Sequence, residues 1–367
     1  MGPLDSEIWV DCRQWSDRWS VEENLHGGGQ GSAYRVRRKT DKQLAFLKAI
    51  KAKRDPERRR RFFREAATYD TVRANGLPHL IESNANFHDK PGYVPYVATS
   101  FIEGPTLQEW RDAQQTVALP VAISTTQALL KTLRMCHVED VLHRDIKPDN
   151  IIMKEGDPLQ PILLDFGLSF HALQPAELET EDRQELGNRF LRLPELSAGS
   201  SRKRDPRSDL SFAAGICFFM LTGRFPYVLQ DAEGRLPHQR SEVLEVLHDT
   251  AGSSSTRLLS FFDRGFAPQI ADRFFDADEM LKCTHKIIGQ FHVASTPNDD
   301  LSAIREIFDT SATRQQYSTH SRISEALDQC RRVHESIPED LKVPMSISQT
   351  ACSIEGNVGR NTLWWTI

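Results

Sequence analysis

Five polar residues, His143, Arg144, Asp145, Lys147 and Asn150, crowd into the stretch "VLHRDIKPDNIIM", which apolar residues frame on both sides. Their types suit the transfer of a phosphoryl group. Asp145 could accept a proton from an attacking hydroxyl, Lys147 could neutralise the transferring group, and Asn150 could offer a carbonyl oxygen to a hard cation. Shortly afterwards, in "PILLDFGLS", an apolar strand ends in Asp165, Phe166 and Gly167. A carboxylate there, close to Asn150, would make a two-ligand magnesium site completed by nucleotide phosphates.

Two upstream features could serve the same chemistry. Lys48 in "AFLKAI" is a cation among apolar neighbours, where a purely structural lysine would be awkward. A charge on a buried strand needs a partner, and Glu65 in "FFREAAT" is the natural one. Before them, "LHGGGQGSAYRV" places Gly28 and Gly31 in a glycine cluster between two predicted strands. Glycines there would let backbone N–H groups approach phosphate oxygens. Each piece also has an ordinary reading: a turn aspartate, a capping asparagine, a solvated lysine, a hairpin glycine. The ordinary readings do not account for their conjunction in this order.

The elements that must hold these groups follow from pattern. "WSVEENL" and "AYRVRRK" flank the glycines as a hairpin would, and "QLAFLKAIKA" follows as a third strand. "DPERRRRFFREAATYDTVRANG" opens with Asp55 and Pro56 and reads as a helix up to a stop signal at Asn75 and Gly76. Its basic run reads as the solvated face of a charged helix. Beyond Gly104 the pattern becomes helical, in "VAISTTQALLKTLRMCHVED" and "SDLSFAAGICFFMLTG". A sheet-based first lobe and a helical second lobe emerge.

Composition narrows the field. The chain has 367 residues, 39% hydrophobic and 26% charged, as in ordinary globular proteins. A net charge of −5 gives no field that would attract nucleic acid or an anionic membrane. No apolar run approaches the roughly 18 residues of a spanning helix; "FAAGICFFML" reads as a buried core helix. The first residues lack the basic flank and apolar stretch of a secretory signal. Six scattered cysteines show neither zinc spacing nor a disulfide framework, so reduced thiols and a cytoplasmic location are expected.

The ordered motifs "HRDIKPDN", "DFG", "LPE" (Leu193 to Glu195) and "SDLSFAAGICFFMLTGRFPY" resemble those of the eukaryotic-type (Hanks-type) serine/threonine protein kinase family. The resemblance implies an α+β, bilobal protein-kinase fold. A small β-rich N-lobe with one helix would span about residues 19–101, and a larger, mainly helical C-lobe about 104–289. Residues 1–18 would form an N-terminal extension and 290–367 a C-terminal accessory segment. It further implies that Asp145 is the catalytic base, that Asn150 and Asp165 bind Mg2+, and that Lys48 contacts the α- and β-phosphates of ATP while pairing with Glu65. Gly28 and Gly31 match glycines of the nucleotide loop. Thr99 aligns with the residue guarding the rear of the adenine pocket, and Ser100 to Ile102 with the hinge. Lys147, two residues after Asp145, favours a serine or threonine of a protein substrate over tyrosine. Asp209 would brace the catalytic loop and Arg273 would pair with Glu195.

Departures accompany the matches. His26 stands where the family has its first loop glycine, and Asn188 where it has a threonine. Arg144 would bind a phosphate on the following segment, where Ser169 and Thr180 could carry one. The acidic run from Glu177 to Glu185 could stand in, so activity without phosphorylation there is expected. A pseudokinase acting as a scaffold or ligand-operated switch is the alternative, but Lys48, Asp145, Asn150 and Asp165 are all present. No kinase motif explains the C-terminal segment. Its helical Ile323, Leu327 and Cys330 and its tandem Trp364 and Trp365 suggest packing on the kinase domain or a partner site.

Overall fold

A computed structural model describes residues 7–25, 31–51, 55–166, 170–171, 190–196 and 204–289. The chain divides into a unit ending at Ala294 and a second from Ser295 onward, and all described residues belong to the first. His26, Gly28, Gly167, Ser169, Thr180, Asn188, the helix proposed around Leu327, and Trp364 with Trp365 lie outside the described residues.

The first lobe is a five-stranded antiparallel sheet in the order β1-β2-β3-β5-β4. Its strands are β1 (Trp19–Leu25), β2 (Gly31–Arg38), β3 (Leu44–Ile50), β4 (Leu80–Ser83) and β5 (Tyr96–Ser100). Alternation along β3 buries Ala45, Leu47 and Ala49 on one face and turns Lys48 to the other. Inside this lobe the carboxylate of Glu82, 1% exposed, accepts hydrogen bonds from Arg18 (2.8 Å), the Trp19 indole (2.7 Å) and the Tyr96 hydroxyl (2.6 Å). Burial alone would raise this carboxyl, but the hydrogen bonds of Arg18, Tyr96 and Trp19 outweigh it and hold the pKa low. Glu82→Ala is therefore expected to cost about 2–4 kcal/mol, because the Trp19 and Tyr96 donors lose their acceptor. A folded pKa below the unfolded value stabilises above the ordinary carboxylate range and ceases to as pH falls through the lowered value. Urea denaturation between pH 7 and pH 3 should thus show a weaker acid dependence in Glu82→Gln than in the wild type.

Helix α1 (Pro56–Thr71) crosses behind the sheet, capped by Asp55, whose side chain accepts from the backbone N–H groups of Glu57 and Arg58. It stops four residues before the expected signal at Asn75. Val72 turns extended and is only 2% exposed, so burial of its side chain ends the helix, and Asn75 and Gly76 fall in the connection that follows. The basic run is also not a wholly solvated face. Arg59 is buried and donates to the carbonyls of Phe87, His88, Lys90 and Tyr93, fastening that loop to the helix. Arg64 is buried too and pairs with Glu57 at 3.0 Å.

Residues 7–18 pack on the sheet. Trp9 bridges Ser83 in parallel at the free edge of β4, with the Val10 N–H on the Ser83 carbonyl (3.0 Å) and the Ser83 N–H on the Ile8 carbonyl (2.8 Å). The Trp9 side chain is buried against Phe63 of α1, and its indole N–H donates to Asp70 at 2.7 Å.

The second lobe is built on α2 (Leu107–Asp112), α3 (Leu119–Val138), α4 (Arg207–Thr222), α5 (Ser241–Ala251), α6 (Ser255–Gly265) and α7 (Ala277–Ile288). Every residue of α4 from Ser208 to Leu221 is buried, as its all-round apolar sequence requires. Phe218 meets Phe262 and Phe266 edge-on, at 5.9 and 5.8 Å, in the aromatic centre of this lobe. Among the described residues no helix is long and apolar enough to cross a membrane.

Candidate active site

The polar loop lies between two short strands, β6 (Val141–Leu142) and β7 (Ile151–Met153). Its backbone is bent, with Arg144 in the left-handed region at φ 66°. Asp209 at the start of α4 holds that bend by accepting the N–H groups of His143 and Arg144, both at 2.9 Å. His137 adds a third contact at 3.1 Å. Burial would raise the Asp209 carboxyl, but the His137 contact, the nearby His143 and the Arg144 N–H hold it below its ordinary value. Asp209 therefore braces the loop, as the resemblance implies.

The loop gathers its chemistry at Asp145. The Lys147 ammonium donates to Asp145 Oδ2 at 2.8 Å. The Asn150 amide nitrogen donates to the Asp145 carbonyl at 2.8 Å and to Oδ2 at 3.1 Å. With its nitrogen turned to Asp145, Asn150 keeps its carbonyl oxygen as the group to offer a cation, which suits a magnesium ligand. Two bonds tie this loop to the strand that ends in Asp165: the Leu164 N–H donates to the backbone carbonyl of Asn150 (2.8 Å), and His143 Nε2 meets the Leu164 backbone carbonyl (2.9 Å).

Lys48 stands between two carboxylates. It donates to both oxygens of Glu65 (3.0 and 2.9 Å) and to Asp165 Oδ1 (2.7 Å). Burial would lower the lysine, but Glu65 and Asp165 outweigh it, so the ammonium stays charged. Burial pushes the Glu65 carboxyl up to about 7, with Lys48 offsetting only part of that rise. The Asp165 side chain, 45% exposed, opens to solvent, while Glu65 at 5% is enclosed. Lys48, Glu65 and Asp165 are thus one cluster, and Asp145, Lys147 and Asn150 a second joined to it through Leu164. A cation paired with a half-open carboxylate, beside a second oxygen donor, fits a nucleotide and its magnesium.

The remaining candidates sit on strands of the first lobe and the connector after β5, or lie outside the described residues. Thr99 on β5 is buried and pairs across to Phe46 of β3 and Leu80 of β4. Ser100 ends β5, its hydroxyl accepting from the His79 N–H at 3.0 Å. Ile102 lies half-buried in the connector that follows. Gly31 opens β2; a Cβ there would come within 2.9 Å of the Ala49 carbonyl and 3.1 Å of the Phe62 ring. Close packing on β3 and α1 is thus a reason for glycine here. Glu195 is buried with Arg273 and also accepts from Ser208 at 2.7 Å, which ties the "LPE" segment to α4.

Sequence reasoning passed over three residues here. Phe46 lies two places before Lys48 and shares its face of β3. Gly104 has φ 141°, and a Cβ would overlap the Met153 carbonyl at 2.0 Å, so the connector can cross β7 only as glycine. Tyr69 lies one helical turn beyond Glu65, and its hydroxyl accepts the Asp165 N–H at 3.1 Å. Its spacing from Glu65 was the available signal.

The chain is similar to known proteins. Residues 19–283 match the family model described as protein kinase domain. The chain is similar to a serine/threonine-protein kinase C of Synechocystis, 28% identical over 58% of this chain and 41% of that protein. It is also similar to a probable serine/threonine-protein kinase of Streptomyces coelicolor, 25% identical over 59% of this chain and 32% of that one. It thus spans about a third to two-fifths of the length of these relatives. Among solved structures, Rad53 crystallised with AMP-PNP matches with a TM-score of 0.55 at 18% identity, covering 75% of this chain and 66% of that one. The chain belongs to the protein kinase family.

Proposed function

We propose that this protein is a serine/threonine protein kinase that transfers the γ-phosphoryl group of ATP to a protein hydroxyl, using magnesium. The observation that carries this reading is the double engagement of Lys48 with Glu65 and Asp165, joined through Leu164 to a loop that presents Asp145 and Asn150. ATP would supply the phosphoryl group, and bound magnesium would neutralise its oxygens. Lys48 binds and orients phosphate oxygens. Asn150 and Asp165 would hold the metal. Asp145 orients the substrate hydroxyl and takes its proton, and Lys147, already on Asp145, places positive charge beside the same spot. Gly28, Gly31 and the stretch from Thr99 through Ser100 to Ile102 enclose the nucleotide.

Residues 19–289 constitute the kinase domain in this reading, and 290–367 tune it or recruit its substrate without supplying catalytic groups. The cytosol is its place of action; Cys12, Cys136, Cys217 and Cys283 are free thiols, which suits a reducing compartment. The test is incubation of the full chain with γ-labelled ATP, magnesium and a generic protein substrate, followed by phosphoamino-acid analysis. Phosphoserine or phosphothreonine that disappears with EDTA is expected. Label confined to tyrosine, or none, overturns the assignment.

A further inference from the structure

Helix α1 offers two groups to the site from one face. Glu65 and Tyr69 are four residues apart, so they stack one turn above the other. Glu65 reaches Lys48, and Tyr69 reaches the backbone beside the metal ligand. The Asp165 N–H donates to the Tyr69 hydroxyl at 3.1 Å. The ring of Tyr69 meets Phe166 edge-on, with centroids 5.4 Å apart. Phe166 in turn packs 4.6 Å from His143 of the catalytic loop and is fully buried. One tyrosine thus holds two consecutive residues, the first by its oxygen and the second by its ring.

The contact falls where the backbone most needs support. Asp165 has φ 62°, in the left-handed region that residues with a Cβ rarely adopt. Tyr69 is itself buried, 7% exposed, so few alternatives exist for an N–H facing it. A leucine or methionine at position 69 could fill the space against Phe166 but could not accept that proton. Outside the site, the next residue of the helix, Asp70, is gripped by the Trp9 indole at 2.7 Å, so this turn of α1 is fixed from both sides.

We propose that Tyr69 is a positioning residue for the metal site: its hydroxyl holds the Asp165 backbone in the conformation that presents the carboxylate to Lys48 and to magnesium. The same helical face supplies Glu65 to Lys48 and Tyr69 to Asp165. The inference rests on the kinase reading, which makes Asp165 a metal ligand.

The test deletes one oxygen. In Tyr69→Phe, the affinity for AMP-PNP measured by calorimetry with magnesium should fall about three- to tenfold, the effect of one net hydrogen bond, while the affinity measured in EDTA stays within about twofold. The Asp165 amide should exchange slowly with deuterium in the wild type and faster in the variant. A purely structural tyrosine would lower the melting temperature and weaken both titrations alike, and that result overturns the proposal. So does a variant with wild-type magnesium dependence. If the variant does not fold, the wild type still decides: an Asp165 amide that exchanges at the rate of an open loop overturns the proposal, and a protected one upholds it. A wild-type chain whose nucleotide affinity ignores magnesium would instead overturn the kinase reading itself.

Discussion

Asp145→Asn is expected to lower the rate of phosphoryl transfer by about 10²–10⁴-fold, the usual contribution of a positioned general base. The substitution is nearly isosteric. Asparagine retains a carbonyl oxygen where Oδ2 now accepts from Lys147, and the Asn150 amide keeps its bond to the backbone carbonyl of residue 145. Asp209 still fixes the loop through His143 and Arg144. The fold and the affinity for nucleotide should therefore survive. Only the charge and the proton acceptor are removed, and both matter most when the hydroxyl attacks. Steady-state kinetics should show the loss in kcat, with KM for ATP within a few-fold of wild type. Turnover within tenfold of wild type would remove Asp145 from the role of base.

Lys48→Met should lower kcat by about 10²–10³-fold, the scale for losing one preorganised charge-stabilising donor. Methionine fills the same slender space on β3, so the strand should persist. What changes is the fate of the Glu65 carboxylate. Glu65 has 5% of its side chain exposed, and its carboxyl is raised by burial even with the ammonium beside it. Removing Lys48 removes the charge that lowers it, so it should rise further. A carboxyl whose folded pKa exceeds its unfolded value favours the folded state at low pH, and that advantage disappears as pH rises through the folded value. The melting temperature of Lys48→Met should therefore lie close to wild type at pH 5.5 and fall progressively below it as pH rises past 7. A constant gap across that range would show that Glu65 does not feel the loss.

The loop around Asp145 was legible because it is local. Asp145, Lys147 and Asn150 sit within six residues and bond to one another, so their order along the chain nearly dictates their geometry. The Lys48–Glu65 pair was legible for a different reason: a charge on a buried strand demands an opposite charge, and α1 is the next element to supply one. The bracing by Asp209 and the Glu195–Arg273 pair were reached only through resemblance, since 66 and 78 residues separate the partners. Contacts that depend on tertiary docking were not readable. Nothing in the sequence around Trp9 announces a strand, because its pairing partner Ser83 is remote and the bridge is parallel. Arg59 looked solvated because the four carbonyls it satisfies belong to a loop with no distinguishing composition. The end of α1 was set by burial of Val72 and not by the breakers beyond it.

In the proposed function Lys48, Asp145, Asn150 and Asp165 form a site competent to transfer phosphate, not merely to bind a nucleotide. Single-turnover transfer tests it most directly: the full chain is loaded with γ-labelled ATP and magnesium, mixed with a protein substrate and quenched over time. Label should move onto serine or threonine in the wild type and remain on the nucleotide with Asp165→Ala, which should also need more magnesium to load. A wild-type chain that loads nucleotide fully, yet leaves the label on it throughout, would contradict the account and make this molecule a nucleotide-binding scaffold.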